Sequence, residues 1–108
     1  GKREGDFKAL RVLPEALVLL AAEGTSQGGV FRYRVKLTNM AKTVAPMVRV
    51  IPVRSQSRDR ILPAIFSDNY LTLMPGETRE ITVEFQEADT RGEAPAFAVE
   101  GYHVKGAN

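Results

Sequence analysis

The 108-residue chain has no cysteine, no tryptophan and a single histidine, His103. Without cysteine there is no disulfide framework, no thiolate nucleophile and no Cys-ligated zinc. One histidine excludes any intramolecular metal site built on two imidazoles, and it leaves one candidate for imidazole general-base chemistry. Aromatic residues make up only 7% of the chain, so a stacking platform for sugars is poorly supplied. No run approaches the ~20 apolar residues of a membrane span, and Gly1-Lys2-Arg3-Glu4-Gly5-Asp6 is not followed by the apolar stretch of a signal peptide. At 11.9 kDa there is room for one domain and one modest core, but not for a (β/α)8 barrel, which needs about 250 residues. A formal net charge of +2 asks for neither nucleic acid nor a membrane surface. The expectation is a chain with no cofactor and no metal, whose partners include no nucleic acid and no membrane.

What is present is alternation. Phe31, Tyr33, Val35 and Leu37 fall on one face while Arg32, Arg34, Lys36 and Thr38 fall on the other, the period of two of a strand with one wet side. Ile81, Val83 and Phe85 alternate with Glu80, Thr82 and Glu84 in the same way. Shorter strand candidates are Leu17 to Glu23, Met47 to Val53, Ile61 to Phe66, Tyr70 to Met74 and Ala96 to Val104. The segment Glu15 to Glu23 also contains good helix formers, but its brevity and the glycines that follow favour a strand. The pattern predicts an all-β sandwich of about seven strands.

Turn chemistry agrees. Met74-Pro75-Gly76-Glu77 places a preset φ before a residue that takes positive φ, as a type II turn requires. Arg54 to Arg60 reads as a hydrophilic loop. Pro52 removes a backbone donor, so its strand is expected at an edge or with a bulge at that residue. Charge is uneven: Arg32 to Arg60 carries eight bases against Asp59 alone, whereas Ile61 onward carries eight acids against three bases. In a sandwich such halves lie side by side, and cross-strand charge pairing is expected.

No catalytic motif survives inspection. Ser67, Asp68 and His103 supply the residue types of a hydrolytic triad, but nothing around them resembles a nucleophile elbow. Glu80 and Glu84 sit on the outward face of a strand, where solvation explains them better than paired-carboxylate chemistry. Asp68 and Asn69 lack the spacing of a calcium loop. Phe66-Ser67-Asp68-Asn69-Tyr70 is the most informative stretch, because three polar residues able to bond local backbone stand between two aromatics. One reading packs Phe66 and Tyr70 into the sandwich; the other has the turn dock on a neighbouring domain or line a ligand pocket. Tyr102 and His103, near the end of the last strand, are secondary interface candidates, with edge-strand packing as the simpler reading.

The ordered run from Ile61-Leu62-Pro63 through Phe66-Ser67-Asp68-Asn69-Tyr70, Leu73-Met74-Pro75-Gly76-Glu77 and Ile81-Thr82-Val83-Glu84-Phe85 to Val99-Glu100-Gly101-Tyr102 resembles a known domain. It is similar to the C-terminal immunoglobulin-like domain of glycoside hydrolase family 2 enzymes, in the exo-β-D-glucosaminidase and β-mannosidase branches. Phe66 and Tyr102 stand where such domains often have Trp. The resemblance implies an accessory domain of a multidomain bacterial retaining exo-glycosidase, whose catalytic glutamates belong to a (β/α)8 domain outside this chain, so that no catalytic residue carries over. It implies as partners that (β/α)8 domain of the same parent chain and the glycan substrate, with Phe66, Ser67, Asp68, Asn69 and Tyr70 facing the barrel or the rim of its pocket. Residues 1–12 are then expected to be a tag remnant and interdomain linker, residues 13–108 an all-β, immunoglobulin-like β-sandwich of about seven antiparallel strands, and the parent to be exported to the periplasm or outside the cell. A free-standing carbohydrate-binding module needs an exposed aromatic cluster, and an adhesion-type domain needs an unpaired edge for strand addition.

Overall fold

The computed structural model describes residues 3–5 and 18–101. Two antiparallel sheets pack face to face. The first has five strands in the order β1 (Arg3–Gly5), β2 (Val18–Gln27), β3 (Val30–Asn39), β7 (Thr78–Gln86) and β5 (Ala64–Phe66). The second has three, β6 (Leu71–Leu73), β4 (Ala45–Arg54) and β8 (Pro95–Glu100). A 3₁₀ turn at Glu87–Thr90 links β7 to the approach of β8. The seven strands from Val18 to Glu100 make the expected immunoglobulin-like sandwich. Arg3–Gly5, within the stretch expected as linker, pairs with Gly24–Ser26 of β2.

The alternating strands behave as their periodicity dictates. Tyr33, Val35 and Leu37 of β3 and Ile81, Val83 and Phe85 of β7 are buried against Val48, Val50, Phe97 and Val99 from the other sheet. Tyr33 stacks on Phe85 with ring centroids 5.9 Å apart and meets Phe97 edge-on at 5.1 Å, geometries that aromatic quadrupoles favour. This cluster requires Gly24, the register partner of Tyr33, because a Cβ there would lie 2.4 Å from the tyrosine ring. The helix-prone stretch from Val18 is strand, since all ten residues of β2 pair with β3 and a long-range ladder overrides weak local propensity.

The outer face of the first sheet is laced with charge. Arg32 and Glu84, Arg34 and Glu23, and Lys36 and Glu80 are register partners; the first two pairs form salt bridges, Arg32–Glu84 at 3.3 Å. Arg49 and Glu100 pair likewise across β4 and β8 at 3.1 Å. The basic and acidic halves of the sequence therefore meet strand against strand.

Three expectations are corrected. β4 is the central strand of its sheet, and its bulge lies between Ala45 and Val48, where Met47 takes φ 57°, rather than at Pro52. Pro52 is tolerated because β6 covers only the Ala45–Val48 end of β4. Its carbonyl accepts from the Ile61 N–H at 2.9 Å, so its donorless side faces the connecting loop and not the β8 ladder. The strands expected over Ile61 to Phe66 and Tyr70 to Met74 shrink to three residues each. Arg54 is not part of a wholly solvated loop; it is buried at the end of β4, with Nε donating to the Asp89 carbonyl at 3.0 Å.

One corner of the sandwich is organised by Asn39, which is fully buried. Its Nδ2 donates to the carbonyls of Thr43 (2.8 Å) and Leu73 (3.0 Å), and its Oδ1 accepts from the Ala41 N–H (2.9 Å). Its main chain bonds Glu77 and Gly76. Gly76 takes φ 78° and the Glu77 N–H closes on the Met74 carbonyl at 3.0 Å, the turn that the Pro-Gly pair predicts.

Candidate functional site

The five residues from Phe66 to Tyr70 carry the chain from the edge strand of one sheet, β5, to the edge strand of the other, β6. Each is tied down. Phe66 ends β5 and packs half-buried against the core. Ser67 extends the β5–β7 ladder: its N–H donates to the Thr82 carbonyl at 2.9 Å, and its Oγ accepts from the Thr82 N–H at 2.8 Å. Asp68 Oδ1 accepts from the Asn69 N–H at 2.8 Å, while Oδ2 lies 3.6 Å from Arg79 of β7. Asn69 reaches the other sheet, accepting from the Val50 N–H at 3.0 Å and donating to the Val50 carbonyl at 3.3 Å. Its amide acts as one residue of a missing strand beside β4.

Tyr70 does not pack into the sandwich. It is 54% exposed and takes φ 58°, a left-handed conformation costing a non-glycine residue roughly 1–2 kcal/mol. The contacts that hold it come from Arg49 of β4. An Arg49 Nη donates to the Tyr70 hydroxyl at 2.7 Å, and the guanidinium carbon lies 5.5 Å from the ring centroid, within cation–π range. Glu100 of β8 completes the group by accepting from Arg49 Nε at 3.1 Å. The hydrogen bonds to Glu100 and then to Tyr70 push the Arg49 pKa further above its ordinary value. Phe66 packs as the first reading of the turn expects, whereas Tyr70 departs from that reading and stands exposed.

Ser67 Oγ thus accepts from a backbone amide, and Asp68 is engaged by the Asn69 N–H and by Arg79. No group of three or more metal-ligating side chains forms among the described residues. Tyr102 and His103 lie outside the described residues. Arg49 is the participant that sequence reading missed. Its only signal was a charged residue within the apolar run Met47 to Val53, and the strands that bring it to Tyr70 and Glu100 are far apart in the chain. Among the described residues the arrangement holds a two-sheet-spanning turn with one aromatic ring turned outward.

Comparison with known proteins gives this geometry its context. A sequence model of the exo-beta-D-glucosaminidase Ig-fold domain matches residues 1–104. An exo-beta-D-glucosaminidase of Streptomyces avermitilis is 30% identical over 92 residues, which cover 85% of this chain and 10% of that protein. Another from Amycolatopsis orientalis is 35% identical over 44 residues, 41% of this chain and 4% of that protein. The crystal structure of the Amycolatopsis orientalis exo-chitosanase CsxA superposes with a TM-score of 0.76 at 28% identity, over 81% of this chain and 10% of that one. The chain thus spans about a tenth of the length of these relatives. Fold and sequence agree, and the chain belongs to the exo-β-D-glucosaminidase Ig-fold domain family.

Proposed function

We propose that this chain is the non-catalytic accessory domain of a multidomain retaining exo-glycosidase of the exo-β-D-glucosaminidase type. In this reading it packs near the catalytic (β/α)8 domain of the same parent polypeptide, with the Phe66–Tyr70 turn at the rim of the substrate pocket. The parent acts outside the cytoplasm, in the periplasm or beyond the cell. The observation that carries the reading is the family match over residues 1–104 in a chain spanning only a tenth of its relatives. The turn supports it: five consecutive residues are bonded to both sheets, so an aromatic ring is presented without further loss of loop entropy, as contact loops on rigid scaffolds require.

An amide NMR titration of the 108-residue chain with glucosamine oligosaccharides, followed at residues 66–70, tests the rim. Saturable shifts there make the turn a direct sugar contact. Silence at millimolar ligand restricts its role to contacts made in the assembled parent. Hydrolysis of an aryl β-glucosaminide by the purified chain, at a rate surviving removal of contaminants, overturns the non-catalytic assignment.

A further inference from the structure

At residue 70 the chain combines an unfavourable backbone with a large exposed side chain. Glycine or asparagine takes a left-handed φ at lower cost, yet an aromatic ring stands there and points outward. Strain of this kind persists only where the surroundings hold it. Arg49 does the holding, and its own side chain is largely covered, at 26% exposure. The Tyr70 hydroxyl accepts from Arg49, so its own proton remains available to a ligand oxygen. Glu100 accepts from Arg49 Nε through Oε1, and its side chain is more than half exposed. Its Oε2 makes no hydrogen bond or ion pair among the described residues.

The ground beside this group is low and uncharged. Arg49 and Glu100 are register partners on the outer face of their sheet, and the next rows on that face pair Ile51 with Ala98 and Val53 with Ala96. Arg49 and Glu100 are thus the one charged cross-strand pair between β4 and β8, whereas the outer face of β3 and β7 is charged in row after row. One guanidinium fixes both the ring and the carboxylate beside an apolar floor. An aromatic face packs on the C–H face of a sugar, and the tyrosine hydroxyl can donate to a sugar oxygen. The unspent carboxylate oxygen adds a charge-assisted bond that only a cationic ring can use. A neutral sugar engages two of these three elements, and an amino sugar engages all of them.

We propose that Tyr70, Arg49 and Glu100 form a non-catalytic subsite for a protonated amino-sugar unit beyond the scissile bond, with its ring on Tyr70 and its ammonium on Glu100 Oε2. Arg49 is the positioning residue that holds the other two. This rests on the reading above that the chain belongs to an exo-glucosaminidase-type enzyme with the turn at its pocket rim. It adds what is read there, the positive charge of a sugar that is not itself being cleaved. It also makes Glu100, which lies outside the turn, the residue that sets specificity.

Steady-state kinetics of the full-length polypeptide test the subsite. The substrates are an aryl β-glucosaminide, a fully deacetylated glucosamine trimer, and a trimer N-acetylated on its second and third units, which keeps the rings and removes their charge. The wild type is expected to show a KM for the deacetylated trimer about fivefold below that for the acetylated one. Glu100→Gln should bring the two KM values together, and Tyr70→Gly, which suits the left-handed backbone, should raise both. No such preference in the wild type, or one that survives Glu100→Gln, overturns the subsite and leaves the accessory-domain reading standing. An aryl glucosaminide KM that rises in Glu100→Gln as much as that of the deacetylated trimer also overturns it, because the aryl substrate has no second sugar. If the full-length polypeptide cleaves no glucosaminide, the functional reading falls and the 108-residue chain decides the subsite alone. Saturable amide shifts at residues 70 and 100 with the deacetylated trimer, lost in Glu100→Gln, then sustain it, and silence at millimolar trimer overturns it.

Discussion

Asn39 and Asn69 use the same chemistry in two different places. Each side-chain amide stands in for backbone, donating to a carbonyl and accepting from an N–H across a gap that no strand fills. Asn39 does so at zero exposure and gathers the end of β3, the β3–β4 loop, β6 and the Pro75-Gly76 turn into one corner. Asn69 does so half-exposed and serves a single turn. A polar group that is buried must keep its partners or leave several backbone groups dry and unpaired, whereas at the surface water takes over. Depth therefore decides which of two chemically identical clamps holds the fold and which merely aims a loop.

The comparison can be broken most forcefully at Asn39. Asn39→Ala strands two carbonyls and one amide and is expected to cost about 3 kcal/mol or more, a large share of the roughly 5–15 kcal/mol typical of a domain; urea unfolding followed by circular dichroism measures it. Asn69→Ala should cost about 1 kcal/mol and leave the unfolding transition cooperative. Its signature is local, with faster hydrogen exchange at the Val50 amide while the amides of β3 keep their protection. An equal loss in both variants removes depth as the deciding variable.

Glu93 sharpens the comparison because it is a loop clamp that titrates. Its carboxylate accepts from the Ser57 N–H and the Gln56 N–H, both at 2.9 Å, and from the Ser57 hydroxyl at 3.4 Å. Led by the Ser57 amide, these bonds hold its pKa below the ordinary 4.5. A depressed folded-state pKa stabilises at every pH above the unfolded value and is lost as pH falls through the folded one. Glu93→Gln should therefore lower the melting temperature at neutral pH and flatten its decline below pH 4.5. Parallel acid limbs for wild type and variant would remove Glu93 from the account. The smallest effect belongs to Arg49→Met, a half-buried group in a surface ion pair whose loss should barely move the urea midpoint while shifting the Tyr70 ring resonances.

The same distinction of depth governs what could be read beforehand. β3 and β7 were legible because alternation is written in consecutive residues, and the type II turn because Pro75 and Gly76 impose it locally. Cross-strand charge pairing followed from the opposite signs of the two halves, and Arg32–Glu84 and Arg49–Glu100 realise it. The centrality of β4 was not legible, since Pro52 argues locally for an edge and only the short reach of β6 makes a central position tolerable. The burial of Asn39 was not legible either, because it depends on Leu73, 34 positions away. Within the turn, the polar trio announced itself as a backbone-bonding cluster. The outward ring of Tyr70 did not, because Arg49 and Glu100 come from two other strands.

Gly24 and Tyr33 carry a consequence for how this sequence can change over time. The two are register partners, and the space a side chain at 24 would need is filled by the tyrosine ring. Their substitutions are therefore coupled rather than additive. A lineage that first shortens residue 33 opens the space and can then gain a side chain at 24, whereas the reverse order passes through a clashing intermediate. The order of mutations, and not only their sum, is constrained by a single missing methyl group.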